Sequence, residues 1–129
     1  MATWVTFEDI EAWQLSRVFC QDIYRLIKET ELAKDFRLKD QINGSSGSTM
    51  DNIAEGYERG GNKEFIQFLS IAKASIGESR SQLYRIFDRG YIDENSFKDL
   101  SNKTRIISMK ISKLIGYLKS SSFKGVKYK

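Results

Sequence analysis

Two stretches of the chain repeat an apolar or small residue at alternating steps of four and three, and this spacing constrains the fold more than any other feature. One runs Phe65, Leu69, Ala72, Ile76, Ser79, Leu83 and Ile86; the other runs Phe97, Leu100, Thr104, Ile107, Ile111, Leu114 and Leu118. Each residue of an α-helix advances ~100° around the axis, so either run lies on one narrow seam of a helix. Neither seam is interrupted by proline, which the chain lacks altogether.

Local signals set the ends. The segment carrying the first seam opens at Asn62 after Gly60-Gly61 and closes near Arg89-Gly90. The next is capped by Asp93, with Ile92 and Phe97 placed as a hydrophobic staple, and ends near Lys119 before Ser120-Ser121-Ser122. Upstream, Thr6 and Asp9 form a capping-box-like start flanked by Val5 and Ile10 as a staple, and the helix that follows runs to about Glu29. The stretch from Ala33 to Arg59 carries conflicting signals. Asn43 to Ser48, with two glycines and three serines, reads locally as a turn. Leu38, Ile42, Ser45, Thr49, Ile53 and Tyr57 nevertheless keep a helical phase across it, which predicts a continuous helix with a tightly packed middle, at a cost of ~1 kcal/mol per internal glycine. The boundary between the first two helices falls near Thr30 to Asp35.

Four long helices with short connections predict an all-α fold, an antiparallel up-down-up-down four-helix bundle over residues 1–119 followed by a basic tail, 120–129. A length of 129 residues fits one domain, and 40% hydrophobic residues supply its core. The first helix carries more apolar surface than a bundle needs. Trp13, Leu15, Phe19, Cys20, Ile23, Tyr24, Leu26 and Ile27 cover about half its circumference, against a stripe of ~100°. In the last helix Ile106 and Met109 also project away from the seam. Trp13, Leu15, Ile106 and Met109 are therefore expected in an interface between copies of the chain.

Composition removes most enzyme chemistry. Histidine is absent and cysteine occurs once, which excludes internal disulfides, Cys/His zinc sites, Ser-His-Asp triads and Cys-His dyads. Cys20 lies on the apolar arc and reads as a small core residue. No catalytic, metal or cofactor-binding residue is expected. No run approaches the ~18 apolar residues of a membrane span and Met1 to Glu11 lacks signal-peptide character, so a reducing cytoplasm is the expected setting. Asn43-Gly44-Ser45 and Asn102-Lys103-Thr104 match the glycosylation pattern by chance, and Gly60-Gly61-Asn62-Lys63 lacks phosphate-loop spacing and reads as a helix stop followed by a cap.

The net charge of +4 is unevenly placed: residues 1–97 hold 12 Lys/Arg against 16 Asp/Glu, whereas residues 98–129 hold 9 against Asp99 alone. The asymmetry suits either an electrostatic partner, nucleic acid or an anionic surface, or a solvated helix face with a solubilising tail. For nucleic acid, Lys98, Lys103, Arg105, Lys110, Lys113, Lys119, Lys124, Lys127 and Lys129 are the expected phosphate contacts, with Lys98, Arg105 and Lys113 opposite the seam as an outward stripe. Glu55 and Glu78 sit beside small residues with no nucleophile, and a buried polar network of Asn52, Glu55, Arg59 and Glu78 is expected rather than acid/base chemistry.

Ser48-Thr49-Met50-Asp51-Asn52-Ile53-Ala54-Glu55-Gly56, then Lys63 to Glu78, with Leu38-x-x-Gln41-Ile42 and Gly90-Tyr91-Ile92, resembles the four-helix bundle family first recognised as proteins encoded in intervening sequences of bacterial 23S ribosomal RNA genes. The resemblance spans Phe7 to Lys119. Met50 stands where family members often carry proline, and Ala74 replaces a frequent glycine. It implies a ring-like homopentamer without catalysis, similar to the basic pentameric accessory proteins of diversity-generating retroelements, which bind nucleic acid and a reverse transcriptase. Two functions follow as expectations. One is a non-enzymatic module binding RNA or single-stranded nucleic acid with little sequence selectivity. The other is a scaffold whose basic face docks an acidic partner protein.

Overall fold

Helices α1 (Glu11–Glu29), α2 (Phe36–Glu58), α3 (Asn62–Asp88) and α4 (Glu94–Ser120) make up most of the computed structural model, which describes residues 4–121. Among the described residues there is no strand, and the protein is all-α. Every member of the α3 seam is buried. On α4 the seam is buried at Leu100, Thr104, Ile107, Ile111 and Leu118, with Phe97 and Leu114 half-buried against the same core. The six phased residues of α2 are buried as well, so Asn43 to Ser48 stays helical. Burial of a continuous stripe outweighs the local turn preference of that segment.

The α2–α3 interface is the most extensive; α2 also packs on α1, α3 on α4, and α4 on α1. Small polar residues let α2 and α3 approach. The Ser45 and Ser79 hydroxyls lie 2.7 Å apart, Ser45 donates to Gln82 Oε1 at 2.6 Å, and the Ser48 and Ser75 hydroxyls meet at 3.0 Å. The two mid-helix glycines do not account for this packing. A Cβ added at Gly44 or Gly47 would meet nothing within 4 Å, whereas one at Gly56 would lie 2.7 Å from Phe68 Cβ. The close approach lies at Gly56, one turn beyond Asn52.

The expected capping box of Thr6 and Asp9 is present, but it opens a short turn ahead of the first helix. Thr6 precedes a short 3-10 turn, Phe7–Asp9, whose Asp9 carboxylate accepts from the Val5 and Thr6 amides at 2.7 and 3.1 Å. Ile10 is extended, and α1 starts only at Glu11. Val5 is 80% exposed while Ile10 is buried, so they do not form a staple. The break at Ile10 turns Trp4 inward instead. Its ring stands edge-on to Tyr57, Phe65 and Tyr117 at 6.2 to 6.3 Å, joining α2, α3 and α4 at one end of the core.

The α1–α2 boundary falls within Thr30 to Asp35. Thr30 Oγ1 accepts from the Leu32 amide at the head of a 3-10 turn, Glu31–Lys34, and Asp35 caps α2. Asp35 also receives Arg89 at 2.6 Å and the Tyr91 hydroxyl at 2.8 Å, fastening the α3–α4 connection to the start of α2. The Tyr91 hydrogen bond and then Arg89 hold the Asp35 carboxyl below its ordinary value. Gly60 and Gly90 end α2 and α3 with φ of 86° and 79°, a left-handed conformation that suits glycine.

Candidate nucleic-acid interface

The cations of α4 divide into paired and free. Lys98 lies 3.3 Å from Glu94, one turn back. Lys103 meets Asp22 of α1 at 2.7 Å and Asp99 at 3.5 Å, and Lys110 meets Glu11 of α1 at 3.0 Å. Of the expected outward stripe, Lys98 is paired by Glu94 in the first turn of α4, while the acids that meet Lys103 and Lys110 come from α1 and from Asp99. Arg105, Lys113 and Lys119 have no ion-pair partner among the described residues. Lys124, Lys127 and Lys129, with Phe123 and Tyr128, lie outside the described residues.

Helix α3 adds cations that a reading confined to the C-terminal segment misses. Ser75, Ser79 and Gln82 fix the flank of α3 that faces α2. The other flank borders α4: Tyr84 and Phe87 touch Phe97 with ring centroids 4.8 and 4.9 Å apart, and Asn62 Nδ2 donates to the Leu118 carbonyl at 3.2 Å. Arg80 is one turn before Tyr84 and Lys73 three turns before it, which puts both on the α4 flank. On α4, Lys119 shares the phase of Phe97, and Arg105 lies on the outward shoulder. None of these four cations has an ion-pair partner among the described residues.

Acids avoid this face. Between Asn62 and Tyr84 the acids are Glu64 and Glu78, and between Phe97 and Lys119 there is only Asp99. Glu64 is ~180° around α3 from Lys73, Glu78 is ~200° from Arg80, and Asp99 is ~200° around α4 from Phe97, paired toward α1. Small residues keep the surface low, and a Cβ added at Gly77 or Gly116 would meet nothing within 4 Å. Between Asn62 and Tyr84 the α3–α4 face is therefore a cationic strip, bounded beyond Tyr84 by Asp88 and Glu94.

A second surface lies between α1 and α4. Leu15, Val18, Ile106 and Ile107, with the Lys103 side chain, line an apolar cleft of 80 Å³. Val18 is 46% and Met109 49% exposed, whereas Leu15 and Ile106 are half-buried. Trp13, expected beside them, packs instead on Phe7 at 5.1 Å, on the other side of α1. The initial turn thus covers part of the surplus apolar arc. Cys20 is half-buried, donates to the Ser46 carbonyl at 3.2 Å, and has its thiol pushed up by burial.

The expected buried network of Asn52, Glu55, Arg59 and Glu78 does not form. Glu55 and Arg59 make an exposed pair at 2.8 Å one turn apart, Glu78 is exposed, and Asn52 donates to the Ser48 carbonyl and hydroxyl. Ile53 and Ile76 face the core, and the glutamates two residues beyond them point ~200° away. Ser45, Ser79 and Gln82 instead form a buried hydrogen-bonded polar group between α2 and α3. Among the described residues, no three His, Cys, Asp or Glu side chains gather to hold a metal ion, and no helix is long and apolar enough to cross a membrane.

None of the curated proteins matches the chain. A crystal structure of a protein of unknown function from the S23 ribosomal protein family, from Bacteroides thetaiotaomicron VPI-5482, is similar in fold, with a TM-score of 0.73 at 24% identity over 81% of this chain and 97% of that one. The family model described as 23S rRNA-intervening sequence protein matches residues 8–113, which include all of α1 to α3 and most of α4. Because that match spans well over half of the sequence, the chain belongs to the family of 23S rRNA-intervening sequence proteins.

Proposed function

We propose that the protein is a non-enzymatic, self-associating bundle of antiparallel up-down-up-down topology that binds RNA or single-stranded nucleic acid through its α3–α4 face in the cytoplasm. The topology is supported by the packing of each helix on its neighbour in the chain, with short connections and α4 returning to α1. Self-association is supported by the apolar α1–α4 cleft and the exposed Val18 and Met109 beside it, and the family resemblance implies a homopentamer. One observation carries the binding reading: Lys73, Arg80, Arg105 and Lys119 share a face whose acids, Asp88 and Glu94, stand beyond Tyr84 at one end.

Such a strip attracts phosphates by charge and by counterion release, with no need to read bases. Sequence preference is weak for that reason. The tail residues Lys124, Lys127 and Lys129 add positive charge to the same end of the chain as Lys119. Binding of a short single-stranded RNA, followed across salt concentrations, tests the reading. Log affinity should fall linearly with log salt, and Gln at positions 73, 80, 105 and 119 together should flatten the slope by up to ~3 if each cation neutralises one phosphate. A second reading, a scaffold whose basic face docks an acidic partner protein, draws on the same unpaired cations of α3 and α4. Absence of RNA retention at ~50 mM salt, where the electrostatic contribution is strong, leaves that scaffold as the better account.

A further inference from the structure

We infer that Tyr84, backed by Phe97 and Phe87, is a stacking platform for an unpaired base of a single-stranded nucleic acid whose phosphates run along the cationic strip. The inference rests on the nucleic-acid reading above and adds a residue that distinguishes single strands from duplex. Phe87 and Phe97 stack with ring centroids 4.9 Å apart and planes 24° from parallel, and both are half-buried where α3 meets α4. Tyr84 stands on Phe97 at 4.8 Å and 63°, so neither ring lies flat over the other, and 46% of Tyr84 stays exposed. The two phenylalanines close the helix junction. Tyr84 adds an aromatic surface held in place from below and open to solvent.

Its charge surroundings indicate what that surface takes. Arg80, without an ion-pair partner among the described residues, is one turn away on the same flank, and Lys98 follows Phe97 directly. Asp88 is one turn beyond Tyr84 in the other direction, and Glu94 pairs with Lys98, so acids bound the strip only at its Tyr84 end. A strand lying from Lys73 and Lys119 toward Tyr84 would neutralise free cations along its backbone and end on a ring. An aromatic face accepts any base, but only one that is not stacked within a duplex.

The test compares single-stranded RNA, a duplex of the same sequence, and a strand of the same length that is abasic throughout. Tyr84→Leu retains apolar contact with Phe97 and removes the ring; Tyr84→Phe retains the ring. Thermal melting confirms that both fold. Tyr84→Leu should bind single strands about tenfold more weakly, with Tyr84→Phe near the parent. The salt slope and duplex binding should be unchanged, and the abasic strand should bind parent and Tyr84→Leu alike. A folded Tyr84→Leu that binds single strands as the parent does overturns the platform, while a slope still flattened by the Gln substitutions leaves the phosphate reading standing. No binding of any RNA by the parent overturns both.

Discussion

Lys103 of α4 reaches Asp22 of α1 at 2.7 Å, and Arg25 meets the same carboxylate at 2.8 Å, so a residue that composition assigns to phosphate binding instead joins two helices. Burial pushes the Asp22 carboxyl up, but the hydrogen bonds and charges of Lys103 and Arg25 outweigh it and hold the group below 3.8. Hydrogen bonding to Asp22, opposed by burial, raises Lys103 above 10.5.

The sign of the pH dependence follows from these directions. The Asp22 contribution is complete above 3.8 and disappears as pH falls through the lower folded value; the Lys103 contribution is complete below 10.5 and disappears as pH rises through the higher one. Asp22→Asn should cost about 1 kcal/mol at neutral pH, because Lys103 is partly exposed and the pair is screened. Melting curves of parent and variant should differ by about 4 °C at pH 7 and converge in strong acid. Lys103→Gln should lower the melting temperature without altering the salt slope of RNA binding.

The buried stripes of α2, α3 and α4 were legible because helical phase is a local property. Leu38, Ile42, Ser45, Thr49, Ile53 and Tyr57 needed only their spacing to be placed inside, and turn chemistry marked Asp93 and Gly90. The same spacing tells against burial of Glu55 and Glu78, which stand two residues from Ile53 and Ile76. Pairs such as Lys103–Asp22 and Lys110–Glu11 depend on how α4 is rotated against α1, and no single-helix pattern contains that information. The α3 contribution to the cationic strip required knowing which flank of α3 meets α4.

Polar substitutions separate the two candidate networks. Glu55→Ala and Glu78→Ala should each change stability by less than about 0.5 kcal/mol, since both side chains are exposed and the Glu55–Arg59 pair is a surface contact. Gln82→Ala removes the nearest acceptor of the buried Ser45 hydroxyl and opens space between α2 and α3, and should cost ~1–3 kcal/mol. Urea denaturation read by circular dichroism ranks the three, and a Glu78→Ala loss as large as that of Gln82→Ala would contradict the assignment.

Glycine substitutions should have opposite signs on the same helix. Ala at 44 or 47 enters open space and gains up to ~1 kcal/mol of helix propensity. Ala at 56 brings a Cβ to 2.7 Å from Phe68 Cβ, close to the main chain rather than at a flexible tip, so α2 and α3 must separate. Overpacking of this kind costs ~1–3 kcal/mol and exceeds the propensity gain. Raised melting temperatures for Gly44→Ala and Gly47→Ala, beside a lowered one for Gly56→Ala, are the expected pattern.

Self-association should depend on the α1–α4 cleft rather than on Trp13. Leu15, Val18 and Ile106 line an apolar depression, and Met109 adds exposed apolar surface on α4. Trp13 lies across α1 from it, already engaged with Phe7. A charge at Val18 or Met109 would be desolvated in any interface formed there, yet it remains hydrated in the isolated chain because both side chains are about half exposed. Val18→Glu and Met109→Glu should therefore dissociate the assembly at micromolar concentration while leaving helix content intact. Trp13→Ala should instead loosen the initial turn and lower stability without changing the mass of the assembly. Light scattering with circular dichroism on the three variants checks both halves, and a parent that scatters as a monomer removes self-association from the account. Dissociation should also lower affinity for long single strands more than for short ones, because an assembly presents several cationic strips to one strand and a single chain presents only one.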